Sequence, residues 1–382
     1  MIETKRTSRY NIVIAGKSGV GKTSLLNYLF GSKAGRTGVG KPITATGFHA
    51  THFMIEDLPV TIFDSWGIEV NKAYEWKRVL NEELSKRGVD KSPEQWFHTI
   101  FYCIQVGGAR IEDFEVGLIK DFIDSQYKVI VLLTKADQGG KSDLQELNKV
   151  LRKEIADNMS VIPLCSVDDE RLDGTKINSF GKKEVFNRVY LDFWNSISMR
   201  LPERCESVIF QYIDESLNSI THAALSARSN RAPTNEINKI IEFEFRKLIN
   251  SLPGKDGFVA RKIIDEIKIT MNLYGLFSKA IASEIYNKDI YFEFSITDNM
   301  GKLDSYSWLD LVQKFFELDN ISISFDYWWT GVKDVFALIR GDDYAWNNEV
   351  ARKIRSSGYE LKKKLKVIKP SVKKIIEDIK NP

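Results

Sequence analysis

An α/β domain followed by a mainly helical one is the fold that this sequence predicts, on three observations. Apolar, β-branched runs alternate with segments of helical periodicity through the first ~200 residues, as a mostly parallel sheet flanked by helices requires. A glycine-rich loop, Gly16-Lys17-Ser18-Gly19-Val20-Gly21-Lys22-Thr23, lies between the first apolar run and the first helical segment. Past Leu201-Pro202 glycines thin out and long amphipathic segments take over. The expected division is therefore residues 1–201 and 202–382, with Pro202 as the boundary.

The elements follow in order. Strands are expected at Asn11–Ala15, Gly47–Ile55, Val60–Asp64, Thr99–Gln105, Lys128–Leu133 and Ser160–Leu164, with Leu58-Pro59 as the turn of a hairpin between the second and third. That hairpin makes one edge strand antiparallel. Helices are expected at Lys22–Phe30, Ala73–Arg87, Glu112–Ser125, Leu144–Asp157 and Lys183–Met199. In the second half nearly everything reads as helix, except strand-like runs at Ile290–Ile296 and Ile321–Phe325. Ser229–Thr234 and Leu252–Gly257 carry the proline and glycine breakers of interhelical loops.

Three motifs carry chemistry. The first is the G-x-x-x-x-G-K-T loop in its strand–loop–helix context. Its glycines let successive backbone N–H groups point at phosphates, and the following helix adds the partial positive charge of its N-terminus. The nucleotide-binding candidates here are Gly16, Lys17, Ser18, Gly19, Val20, Gly21, Lys22, Thr23 and Ser24. Lys22 is placed to reach the β- and γ-phosphates, and the Thr23 hydroxyl is a Mg²⁺ ligand.

The second motif is Asp64-Ser65-Trp66-Gly67, a D-x-x-G at the end of a strand. The Asp64 carboxylate can hold Mg²⁺ directly or through water, and the Gly67 N–H can sense a γ-phosphate. The third is Thr134-Lys135-Ala136-Asp137, a T-K-x-D. The Asp137 carboxylate can accept hydrogen bonds from both the ring N–H and the exocyclic amine of guanine. Adenine lacks that donor pair and would leave the carboxylate unpaired. The stem of Lys135 can lie over the base. Ser166, after the strand that ends at Leu164, is the candidate for a backbone contact to the base. Between Phe30 and the edge strand a mobile loop must supply a Mg²⁺-binding threonine: Thr44 first, then Thr46 and Thr37. Lys22, Thr44 and Gly67 are the candidates closest to the reacting phosphate.

With these motifs in order, residues 8–200 resemble the translation-factor-related class of P-loop GTPases, and within it the Era-like, septin and dynamin-like branches. Thr134 in place of asparagine, the phrase Thr37–Thr44 and the run Trp96–Ile104 carry that resemblance. It implies a GTPase domain with GTP or GDP and Mg²⁺ as cofactors, and pairing of two copies through the G domain. Two departures bear on mechanism. Ile68 stands where a glutamine orients water in Ras-like enzymes, and Gly19 stands where some branches place a potassium-binding asparagine. Glu69 is an alternative water-orienting group. Hydrolysis is expected to be slow.

The last segment carries an apolar seam, Ile354, Leu361, Leu365, Ile368, Val372, Ile375 and Ile379, at heptad spacing. Its other faces are basic, including Lys362, Lys363, Lys364, Lys366, Lys369, Lys373 and Lys374, against the acids Glu349, Glu360, Glu377 and Asp378. Pro370 should kink or split the helix. The readings are a core helix with solvated lysines, an anionic membrane contact, or a seat for a partner helix. The aromatics Tyr306, Trp308, Phe315, Phe316, Phe325, Tyr327, Trp328, Trp329, Phe336, Tyr344 and Trp346 cluster here as a buried core corner, with insertion at a lipid interface or docking of a partner by Trp328-Trp329 as the alternative.

Composition bounds the rest. The 382 residues are 43% hydrophobic and 28% charged, with a net charge of only +3, so nothing global calls for nucleic acid. Cys103, Cys165 and Cys205 are too far apart for a metal pattern or a disulfide framework. No apolar run suits a spanning helix, and residues 1–9 lack the apolar centre of a secretory signal. A cytoplasmic protein is expected, with peripheral membrane attachment as the further expectation. Two functions stay open: a slow GTP-hydrolysing switch or dynamin-like mechanoenzyme, and a GTP-dependent protein- or RNA-interaction module with negligible turnover.

Overall fold

A computed structural model describes residues 8–31, 48–65, 73–107, 111–156, 159–170, 174, 176–252, 257–286 and 343–380. The chain divides into two compact units. The first holds residues through Arg200 together with a later segment from Ile269, and the second holds Leu201–Lys268 and the C-terminal helices.

The first unit is built on β1 (Tyr10–Gly16), β2 (Phe48–Ile55), β3 (Leu58–Ser65), β4 (Thr99–Gln105), β5 (Val129–Thr134) and β6 (Ser160–Pro163), in the sheet order β2-β3-β1-β4-β5-β6. Only β2 is antiparallel to its neighbour. β1 and β5 are buried along their whole length, the pattern of strands covered on both faces. β2, at the edge, mixes buried and exposed positions. The helices α1 (Lys22–Phe30), α2 (Ala73–Ser85), α3 (Asp113–Asp124) and α4 (Lys141–Glu154) complete this layer. Leu25, Leu26 and Leu29 are the buried face of α1, as its spacing predicts. The core gathers Val13, Phe63, Phe97, Tyr102, Phe122 and Leu133, among others. Each large side chain so buried contributes about 1.5–3 kcal/mol relative to exposure.

The expected hairpin turn at Leu58-Pro59 is corrected. The turn is Glu56-Asp57, with Glu56 at φ 49°, and Leu58 already pairs with Ile55. Pro59 is tolerated inside β3 because the register with β1 begins only at Val60, so no ladder bond needs its missing N–H on that side. A second small sheet, β7 (Asp169–Glu170) with β8 (Lys176–Ile177), follows Ser166. Its two-residue strands carry no sequence signal.

α5 (Lys182–Ser229) does not stop at Met199 as expected. It runs for 48 residues with Pro202 inside it. Pro202 is framed by the buried residues Leu201 and Cys205, and the apolar positions on either side keep helical periodicity. Packing along the helix outweighs the local cost of the proline. The interhelical loop around Pro233 lies where the sequence places it, between α5 and α6 (Thr234–Ser251). α7 (Phe258–Tyr286) follows. Its C-terminal half packs in the first unit: Phe277 stacks on Tyr10 with centroids 4.4 Å apart, and Asn272 donates to Ser8.

In the second unit, α8 (Asp343–Lys364) is joined to α9 (Ile368–Lys380) through a single tight turn, Leu365–Val367. Pro370 therefore falls in the first turn of α9, where no intrahelical donor is lost. Ile354, Leu361, Leu365, Ile368, Val372 and Ile375 are all buried, so the seam is a core surface. Trp346 is buried too, 5.1 Å from the Arg228 guanidinium. The strands expected at Ile290–Ile296 and Ile321–Phe325, and the aromatics Tyr306, Trp308, Phe315, Phe316, Phe325, Tyr327, Trp328, Trp329 and Phe336, lie outside the described residues.

Candidate functional site

The site is assembled at the C-terminal ends of β1, β3 and β5, where open α/β sheets bind ligands. Gly16 closes β1 at φ 145°, and a Cβ there would lie 2.4 Å from the Cys103 carbonyl oxygen, so only glycine fits. Gly21, at φ 95°, opens α1. Between them Ser18 and Gly19 face solvent, as do Thr23 and Ser24 in the first turn of α1.

Lys22 is 9% exposed, and its Nζ donates to the carbonyls of Gly16 and Lys17, each at 2.9 Å. The ammonium is thereby held inside the curl of the loop. Burial lowers its pKa, and the Asp64 charge opposes that shift. Asp64, near the end of β3, is held up at about 6 by burial, with Lys22 pulling the other way. Among the described residues its Oδ1 is buried and has no hydrogen-bond partner. A buried carboxylate oxygen without a partner among the described residues suits a hard divalent cation such as Mg²⁺, and the exposed Thr23 hydroxyl in the first turn of α1 is the second oxygen the sequence offers it. Asp64 and Thr23 are the residues that would hold it.

The T-K-x-D segment is bound to the phosphate loop. Thr134 is 2% exposed, and its hydroxyl donates to the Val20 carbonyl at 2.6 Å. It thus positions the loop, with its oxygen turned away from solvent. Lys135, at φ 52°, reaches back to the Gly19 carbonyl at 3.0 Å and to Gln105 Oε1 at 2.9 Å. Its stem passes 3.9 Å from where a Cβ on Gly21 would stand.

Ala136 N–H donates to the Leu164 carbonyl at 3.1 Å, which brings the half-buried Asp137 and Ser166 to one edge of the sheet. Cys165 lies there as well. Burial raises its thiol pKa, the Val167 carbonyl contact lowers it, and the neighbouring Asp137 raises it further. Asp143 Oδ2 accepts from Gly140 N–H at the start of α4.

One contact could not be read from the sequence. The Lys17 ammonium pairs with Glu112 at 2.7 Å and Glu115 at 2.9 Å, both at the start of α3. Residues 95 and more apart carry no local signal of such a pair. Thr44, Thr46, Thr37, Gly67, Ile68 and Glu69 lie outside the described residues.

Sheet order, phosphate loop and the strand-end T-K-x-D together define a P-loop G domain. Residues 6–185 match the family model described as Septin, so the first half is a septin-like G domain and the P-loop GTPase resemblance holds. Septin-14 of Mus musculus is 28% identical over 190 residues, covering 45% of this chain and 44% of that septin. Cell division control protein 10 of Candida albicans is 26% identical over 187 residues, covering 43% and 52% respectively. The match thus spans about half the length of these curated relatives. Toc33 from Arabidopsis thaliana, solved with Mg²⁺ and GMPPNP, aligns over 51% of this chain and 87% of its own at 15% identity, with a TM-score of 0.36.

Proposed function

We propose that the first half of the chain binds GTP and GDP with Mg²⁺ and hydrolyses GTP slowly. The observation that carries this reading is Asp64, a half-buried carboxylate with one oxygen buried and unpartnered among the described residues, in the field of Lys22 of the phosphate loop. Lys22 already lies within the loop and has only to exchange two carbonyl contacts for phosphate oxygens. Asp137 selects guanine, Lys135 flanks the base, and Ser166 offers its backbone to it. Bound Mg²⁺ would neutralise charge between the phosphates, with Thr23, Thr44 and Asp64 as its protein ligands. Gly67 senses the γ-phosphate.

Slow turnover rests on Ile68, which cannot orient water. A second copy docked against the G domain is the group we expect to complete the site. The exposed Val167 and Phe180, on the guanine side of the sheet, support that surface. The hairpin that leads to Asp64 is also held, within the first unit, by the C-terminal half of α7. Its tip is held by Lys279 to Asp57 at 2.7 Å and by Ser283 to Glu56 at 2.7 Å, both from α7. Nucleotide state would pass along that hairpin to the C-terminal half of α7. A cytoplasmic location with peripheral membrane attachment completes the proposal; no described helix is long and apolar enough to cross a membrane.

Thermal melting with GDP, GTP and ATP, each with and without Mg²⁺, tests nucleotide choice. A ligand at ~100-fold its Kd should add about 2.7 kcal/mol. Guanine nucleotides should raise the Tm and ATP should not, with Asp137→Asn shifting preference toward xanthine nucleotides. Equal stabilisation by GTP and ATP would refute the assignment. Turnover per molecule should rise with protein concentration. If turnover is negligible at every concentration, the chain is a GTP-dependent interaction module.

A further inference from the structure

We propose that Lys17 and Glu115 form a strut that sets the curvature of the phosphate loop from α3, so that Lys17 is a positioning residue whose side chain never takes up phosphate. The proposal rests on the nucleotide-binding reading above and concerns how that same site is held.

The Lys17 side chain leaves the phosphate loop for α3. Its ammonium is satisfied by two carboxylates, Glu112 at 2.7 Å and Glu115 at 2.9 Å, and lies 5.6 Å from the centroid of the Phe114 ring. Glu115 is only 2% exposed. Its Oε2 also accepts from the Glu112 N–H at 3.1 Å, and its Oε1 from the Tyr102 hydroxyl at 3.4 Å. Neutral donors of that kind do not balance a buried negative charge, and Lys17 is the cation that does. Leaving Glu115 for a phosphate would strand a buried carboxylate, which is costly. Burial lowers the Lys17 pKa, but the bonds to Glu112 and Glu115 outweigh it and raise the value above that of an ordinary lysine. The ammonium therefore stays charged and stays with α3.

The main chain of the same residue faces the other way. The Lys17 carbonyl accepts from Lys22 Nζ at 2.9 Å. A single residue thus joins α3 by its side chain and the phosphate-binding lysine by its backbone. Tilting or sliding of α3 at its N-terminus would move Lys17, and with it the carbonyl that holds Lys22. The converse also follows by linkage: occupancy of the phosphate site should stiffen the first turn of α3.

The test is a double-mutant cycle on the full chain, using Lys17→Met, Glu115→Gln and both together. Binding of a fluorescent GDP analogue is the readout, and apo melting is the folding control. Each single variant should weaken GDP binding by about tenfold, within the coupling range of contacting residues, and the double should be no weaker than either single. Lys17→Arg, which can keep both carboxylate contacts, should restore binding. If Lys17→Met loses affinity while Glu115→Gln binds like wild type, Lys17 touches phosphate itself and the proposal is overturned. Strictly additive losses would also overturn it. Should Glu115→Gln not fold, Glu112→Gln at the half-exposed partner runs the same cycle. A wild type that binds no GDP would instead remove the nucleotide reading on which the strut depends.

Discussion

The Thr134 hydroxyl donates to the Val20 carbonyl at 2.6 Å, a bond across 114 residues that fastens the end of β5 to the phosphate loop. Both groups are removed from water, so the bond has no solvent substitute. The T-K-x-D segment and the phosphate loop are therefore one structural piece. Lys135 repeats the link with its own bond to the Gly19 carbonyl.

Thr134→Val should separate positioning from contact. The substitution keeps shape and leaves the Val20 carbonyl without its donor, a loss of about 1–3 kcal/mol for a buried acceptor. Urea unfolding of the apo protein should show a loss within that range. GDP affinity should fall as well, although the hydroxyl faces away from the site. Unchanged affinity with reduced stability would mean that the bond serves the fold alone.

Asp64 gives the site an opposite pH response in stability and in binding. Burial holds its pKa at about 6 against an ordinary value of 3.8. Between those values the folded chain binds more protons than the unfolded one, so apo stability should rise as pH falls from about 6 toward 4. Mg²⁺ needs the ionised carboxylate, so Mg²⁺-dependent nucleotide affinity should fall through the same window. Asp64→Asn should flatten the stability response. Parallel melting and binding series from pH 7 to 5 check both signs, and a binding profile that improves on acidification would contradict the metal assignment.

The legible part of this molecule is the part written in local pattern. Gly16–Thr23 between a buried strand and an amphipathic helix fixes the loop, and Asp64 and Thr134–Asp137 fall at strand ends because each follows a run of β-branched residues. Those same runs specify the sheet, including its antiparallel edge. What the pattern leaves unsaid is tertiary. Pro59 reads as a turn because nothing local reveals that β1 begins to pair only at Val60. Pro202 reads as a helix end, yet α5 runs through it with Leu201 and Cys205 buried beside it. The partners of Lys17 sit on another helix, and the part of Thr134 depends on a carbonyl 114 residues away.

Gly358 should resist a larger side chain. A Cβ there would lie 2.1 Å from Leu217 Cδ1, and Leu217 is itself buried. Gly358→Val should destabilise the second unit by about 1–3 kcal/mol, the usual cost of overpacking. Leu217→Ala in the Gly358→Val background should recover part of that loss, because it removes the atoms that clash. Chemical denaturation of the four proteins measures the coupling, and additive effects would rule out the close contact.

The basic C-terminal helices hold some of their lysines in ion pairs and leave others exposed. Lys369 is held by Glu203 at 2.6 Å and Glu206 at 3.0 Å, and Lys362 by Asp214 at 2.6 Å, all within the second unit. With the seam buried, these pairs serve packing, and reversing their charge would damage the fold as well as any surface. Lys363, Lys364, Lys366 and Lys373 are exposed. Lysines of that kind contribute roughly 1 kcal/mol each near an anionic lipid surface. Full-length protein should therefore co-sediment with phosphatidylserine vesicles and not with neutral phosphatidylcholine ones. Binding should fade as salt brings the Debye length well below ~10 Å. Glu substitutions at those four exposed lysines should abolish it without moving the melting temperature. Absence of binding to either vesicle would make the two helices structural alone and direct the search toward a protein partner.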